Sequence, residues 1–252
     1  MTQVMHTPDV HGLAAPKRLW QWLPFLPLAV VMLTLTVAAA MRADIGALFD
    51  EGSITTHASA CILMGCALAA LLGWRTSCDA ESDRSRIGAA LPWLLLALGF
   101  LYLVIDEELQ LHEHADEALH IFLAIRPTAW SDRIDDLIVL GYGMFGLGFI
   151  TLFRHRFAAL FRQRRLLRLT AAWFAAMVLL DLASNAYPGS VARHFTGPEI
   201  HLLKTGSAVL EETCKLMAEW SLLLVLLSAS PARGFIGALP PADRVVNSAQ
   251  AR

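Results

Sequence analysis

The sequence predicts an all-α polytopic membrane bundle of about six transmembrane helices with both termini in the cytoplasm, and three observations carry that expectation. First, the 252-residue chain is 56% hydrophobic and only 17% charged, a balance far from that of ordinary soluble domains. Second, the apolar residues gather into runs near 20–41, 55–74, 88–108, 134–153, 169–187 and 206–229. Each is close to the roughly 20 residues that a helix needs to cross about 30 Å of hydrocarbon. Third, basic residues favour alternate connections. Lys17 and Arg18 precede the first run, Arg75, Arg84 and Arg86 follow the second, six arginines fill "RHRFAALFRQRRLLR" after the fourth, and three more lie in the C-terminal tail. The other connections hold Arg42, Arg126, Arg133, Arg193 and Lys204, which the positive-inside rule places outside. No ten-residue alternation of apolar and polar positions repeats, so an outer-membrane barrel is not expected.

Taken in order, residues 1–18 read as a cytoplasmic tail, 19–230 as one transmembrane domain and 231–252 as a second loose tail, since both ends mix Pro, Gly and small polar residues without apolar period. The first run, flanked by Lys17-Arg18 and "AAAM" at 38–41, imitates a signal peptide. Its length exceeds a typical signal core, so an uncleaved helix is expected. Cys61, Cys66 and Cys214 fall within runs and Cys78 in a connection, with no CxxC spacing, which points to packing residues and not to a disulfide or zinc framework. "GYGMFG" at 141–146 matches a nucleotide-binding glycine pattern by spacing alone. No strand precedes it, so the glycines are expected to permit close helix approach. The arginine-rich connection reads chiefly as a topology anchor. In a second reading it is a short amphipathic helix on anionic lipid, with Phe157, Leu160 and Phe161 dipping inward.

Ionisable residues inside membrane helices are costly and call for a partner or a role, and here they gather at one depth. The third run ends in Asp106, Glu107 and Glu108 and continues into His112, Glu113, His114, Asp116 and His120. The second begins near His57, the fifth ends near Asp181, Ser184 and Asn185, and the sixth brings Glu211, Glu212, Lys215 and Glu219, with His201 just before it. If the third helix continued unbroken, Glu108 and His112 would share a face at a spacing that suits one metal ion. Glu113 onward reads as a solvated outer cap. "HEHAD" has Asp116 where HExxH has its second histidine, so zincin chemistry is not expected. Glu211, Lys215 and Glu219, at i, i+4 and i+8, could also form an ion-pair ladder within their own helix. "VIDEELQL" at 104–111 echoes "VLEETCKL" at 209–216, but both lie toward the same side of the membrane, so shared chemistry is the better reading than an inverted repeat.

"EETCK", Glu211 to Lys215, resembles over five residues the EExxK signature of the PrsW-like intramembrane proteases, part of a wider group in which glutamates and histidines on several helices form a membrane-embedded site. In those families the glutamate motif precedes the histidine elements, whereas here it lies in the last helix, so the likeness carries no assignment. The functional expectation is a metal-dependent intramembrane hydrolase acting on lipid or peptide. Asp106, Glu108, His112 and Glu211 are its candidate ligands, and Glu107, Glu212 and Lys215 its candidate catalytic groups. His57, Asp181, Asn185, Glu219 and His201 complete the polar cluster. Histidine with carboxylate suits zinc or another transition metal better than calcium or magnesium. A proton- or cation-coupled transporter is the alternative, followed by a structural or sensory role. Membrane lipids are the expected partners, no nucleic acid is expected, and a bacterial-type inner (plasma) membrane is the expected location.

Overall fold

The computed structural model describes residues 22–41, 44–49, 52–80, 86–124, 134–184 and 197–229, and the regular structure in them is helical. A 3-10 turn, Leu23–Phe25, leads into α1 (Leu26–Met41), followed by α2 (Ile54–Ala80), α3 (Arg86–Leu109), α4 (Leu111–Phe122), α5 (Ile134–Leu152), α6 (Ala158–Phe161), α7 (Arg164–Ser184) and α8 (Gly197–Ala229). The tails expected at 1–18 and 231–252 lie outside the described residues, as does Asn185.

Four stretches are long and apolar enough to cross a membrane: Leu23–Met41, Ile54–Asp79, Ile87–Leu109 and Arg164–Ala183. The other two expected runs depart from that standard. In α5 the apolar part shortens to Leu137–Leu152. The sixth run is embedded in α8, whose 33 residues extend about 50 Å at 1.5 Å per residue and are interrupted by Glu212, Lys215 and Glu219.

α2 and α3 form the central antiparallel hairpin, and α8 packs against α2 on one side and α7 on the other. Small residues set the spacing, because Ala67, Ala69 and Ala70 of α2 and Ala89, Ala90 and Ala97 of α3 are all buried and let the two backbones approach. The main core adds Leu63, Cys66, Trp93, Leu96 and Phe100, with Val225 and Leu226 from α8. α1 docks on α8 through a smaller cluster of Val31, Phe49 and Leu216, and the Trp220 indole N–H donates to the Leu23 carbonyl at 2.8 Å. Hydroxyls inside the helices are satisfied locally. Those of Thr34, Thr36, Thr76, Thr170, Thr213 and Ser228 donate to the carbonyl four residues earlier, the arrangement that a medium without water favours.

At the arginine-rich end the core is closed by a stack. A methyl group on Gly73 would come within 2.5 Å of the Trp93 ring, and that ring meets Phe157 edge-on at 4.8 Å. Gly73→Ala is therefore expected to destabilise the protein by about 1–3 kcal/mol, the usual range for overpacking a filled core, measured by thermal unfolding in detergent. The same stack corrects the lipid-dipping expectation for the arginine-rich connector. Phe157 and Leu160 are fully buried within the protein, while Phe161 stays exposed. Of the α5 glycines Gly141, Gly143, Gly146 and Gly148, Gly143 alone meets a neighbour among the described residues, where a methyl group would fall 2.6 Å from the Phe174 ring of α7.

The largest departure from expectation lies after Leu109. The third helix does not continue, because Gln110 adopts φ 51°, ψ 45°, a left-handed conformation that disfavours a side chain. Asp106 compensates for it. One carboxylate oxygen accepts the His112 backbone N–H at 3.0 Å and the other accepts His112 Nδ1–H at 3.0 Å, so the chain is pulled back and α4 starts in a new direction. Nor is α4 a fully solvated cap. Glu113, Asp116 and His120 are half-buried, and His120 Nδ1 lies 3.0 Å from the Asp116 carboxylate.

Candidate functional site

Consecutive residues of an α-helix point about 100° apart, since 3.6 residues make a turn. The end of α3 uses that rotation fully. Asp106 is buried and holds His112 at the elbow. Glu107 faces α8 and makes an ion pair with Lys215. Glu108 turns toward α2, where His57 Nδ1 lies 3.0 Å from its carboxylate, and this pair is exposed.

The structure thereby separates the four candidate metal ligands. Asp106 and His112 are bonded to each other, Glu108 belongs to His57, and Glu211 lies half-buried on α8. The i, i+4 geometry expected of Glu108 and His112 fails because the left-handed turn at Gln110 intervenes. Among the described residues no group of three or more His, Cys, Asp or Glu side chains is placed to hold a metal ion.

The three candidate catalytic residues do meet. Lys215 Nζ contacts Glu107 across the α3–α8 gap and donates to Glu212 Oε1 at 3.3 Å within its own helix. Glu219, one turn further along α8, also acts electrostatically on Lys215. Its Oε1 accepts the Ser59 hydroxyl of α2 at 2.7 Å, and its Oε2 is buried with no hydrogen-bond partner among the described residues. Three helices thus place Lys215, Glu107, Glu212, Glu219 and Ser59 in one cluster. The echoing segments "VIDEELQL" and "VLEETCKL" meet at its centre through Glu107 and Lys215. This corrects the idea of a ladder confined to one helix. Lys215 bridges to α3, and Glu212, which has no cation to itself in the sequence pattern, shares it.

Two further polar candidates lie on α8 and α7. His201 is exposed near the start of α8, with Nδ1 3.4 Å from the Thr205 hydroxyl oxygen, and Asp181 is half-buried near the end of α7. Ser59 was not among the expected site residues. A faint signal existed in "THASAC", where a second polar side chain follows His57 by two residues at the head of an apolar run. Near the same end the Tyr102 and Tyr142 hydroxyls lie 2.6 Å apart, tying α3 to α5.

Among the described residues the Lys215 ammonium lies amid Glu107, Glu212 and Glu219, and one oxygen of Glu219 has no hydrogen-bond partner there. A buried carboxylate without a counter-ion or a proton is costly in such surroundings. No curated protein and no solved structure matches the chain. Residues 13–230, most of its length, match the family described as Domain of unknown function (DUF8692), and the chain belongs to that family.

Proposed function

We propose that this chain is a six-span protein of a bacterial-type plasma membrane, with both termini cytoplasmic, and that it works by binding and releasing a proton or small cation at the cluster around Lys215. The observation that carries the reading is the shared ammonium. Lys215 joins α8 to α3 through Glu107 while a third carboxylate, Glu219, waits one turn away with an oxygen that has no hydrogen-bond partner among the described residues. A positive charge arriving at Glu107 competes with Lys215 for the carboxylate. The lysine, on its flexible stem, then turns to Glu212 and Glu219, and the α3–α8 tie is released. Departure of that charge restores it. Ion occupancy and helix contact are linked in this way, as a carrier or an ion-responsive signalling protein requires.

Topology rests on the distribution of arginines along the chain. Exposed Arg75, Arg154, Arg162, Arg164 and Arg165 lie at one end of the helices, while Glu108, Glu117 and Glu199 lie at the other. The test is flux of protons and of Na+ or K+ into vesicles reconstituted with the purified protein. Glu219→Gln is expected to lower flux to that of protein-free vesicles while leaving the fold intact, because the amide keeps its shape and can still accept the Ser59 hydrogen bond. Unchanged flux in this variant refutes the site. If the wild-type protein moves no cation and instead carries stoichiometric metal that Glu107→Ala removes, metal-dependent hydrolysis of lipid or peptide takes the place of this reading.

A further inference from the structure

We infer that the positive charge taken up at the Lys215 cluster is a proton, and that Glu219 Oε2 carries it in the arrangement the structure shows. Glu219 reaches from α8 to α2, where its Oε1 accepts the hydrogen bond of the fully buried Ser59 hydroxyl at 2.7 Å. That bond fixes the carboxyl group. Its other oxygen, Oε2, is buried too, and no hydrogen-bond partner meets it among the described residues. The Lys215 ammonium, one turn away, is engaged by Glu107 and Glu212. An ionised carboxylate held this way keeps charge on an oxygen that nothing solvates. A proton on that oxygen removes the charge and leaves only an O–H group, which costs much less in apolar surroundings.

The same geometry favours a proton over a metal cation. A metal ion exchanges its water shell for several oxygens at once, about six to eight for calcium, whereas a proton needs one. Among the described residues no group of three or more His, Cys, Asp or Glu side chains is placed to supply such a shell. The other charges around Glu219 are accounted for by element. Lys215 and Glu212 share its helix, Glu107 acts on it from α3, and Cys66 of α2 has its sulfur 4.0 Å from the Glu219 backbone carbonyl. His57 of α2 is turned to Glu108 at the rim. α1 and α6 contain no ionisable side chain, and α7 carries Arg164, Arg165 and Arg168 near one end and Asp181 near the other. The inference rests on the reading of the cluster proposed above and names its ligand. A proton that leaves Oε2 creates the carboxylate toward which Lys215 turns, and it passes to the Glu107 carboxylate that the ammonium gives up. One proton and one ammonium thus change places between two acids, with no change in total charge.

The experiment is infrared difference spectroscopy of the full-length protein in lipid across a pH titration, because the C=O stretch of a neutral carboxyl group lies apart from those of carboxylates and amides. At neutral pH the protein is expected to show a carboxyl band that Glu219→Gln abolishes and that exchange of choline for Na+ or K+ leaves unchanged. Ser59→Ala is expected to move the band to higher frequency, since the hydrogen bond on the carbonyl oxygen is lost. The absence of such a band at neutral pH, or a band that survives Glu219→Gln, overturns the inference. So does a band that Na+ or K+ removes, because a metal cation then takes the place of the proton. Should Glu219→Gln fail to fold, Ser59→Ala decides alone, and a band that it leaves unshifted overturns the inference. A Glu219 band in a protein that moves no cation upholds the proton and refutes the proposed function, whereas flux of Na+ or K+ without the band does the reverse.

Discussion

Lys215→Ala is expected to destabilise the protein by about 3–5 kcal/mol, the range for removing one partner of a buried ion pair and leaving the other behind. The loss is large because Glu107 and Glu212 both engage this ammonium, and Glu219 feels it too. Unfolding by denaturing detergent, followed by circular dichroism, measures it. The double variant Lys215→Met with Glu107→Gln is expected to recover part of the loss, because both charges are then gone and the remaining groups have similar volume. Glu108→Gln is the contrasting control. Its partner His57 is exposed, and exposed ion pairs contribute about 0–1 kcal/mol. Equal effects of Lys215→Ala and Glu108→Gln contradict the central place given to Lys215.

Phe157→Ala is expected to be comparably severe, about 3–5 kcal/mol, as for other large-to-small changes of a fully buried aromatic ring. Phe157 packs against Trp93 and Phe149, with ring centroids at 4.8 and 6.0 Å. Phe161→Ala, four residues away on the exposed side, is expected to change stability by less than about 0.5 kcal/mol, as surface substitutions do. Thermal unfolding of both variants in the same detergent separates a core anchor from a lipid-dipping residue, since the latter assignment makes them alike.

The apolar runs were legible because hydrophobic length is a one-dimensional property. α2 and α3 begin and end within a few residues of expectation apart from the extension of α2 to Ala80. The convergence of acids was legible in depth for the same reason, since depth follows from position along a helix of known rise. Rotation was not. Whether Glu108 faces a metal with His112 or faces His57 depends on which neighbours surround α3 and on whether the helix continues. The elbow is created by a carboxylate that captures an N–H six residues on. No propensity of Gln110 announces a left-handed backbone. Ser59 escaped notice because a serine in a membrane helix most often bonds back to its own helix, and only the arrival of α8 beside α2 gives it Glu219. The second reading of the arginine-rich connector, with Phe157 and Leu160 in lipid, failed because the apolar residues of a short connector have the same pattern whether they enter lipid or protein.

The three successive acids at the end of α3 have a mechanical consequence. Asp106, Glu107 and Glu108 engage the elbow, α8 and α2 in three directions, so they act as a rotational lock on the helix. A single residue inserted or deleted within α3 would turn its last segment by about 100° and put every acid opposite the wrong neighbour at once.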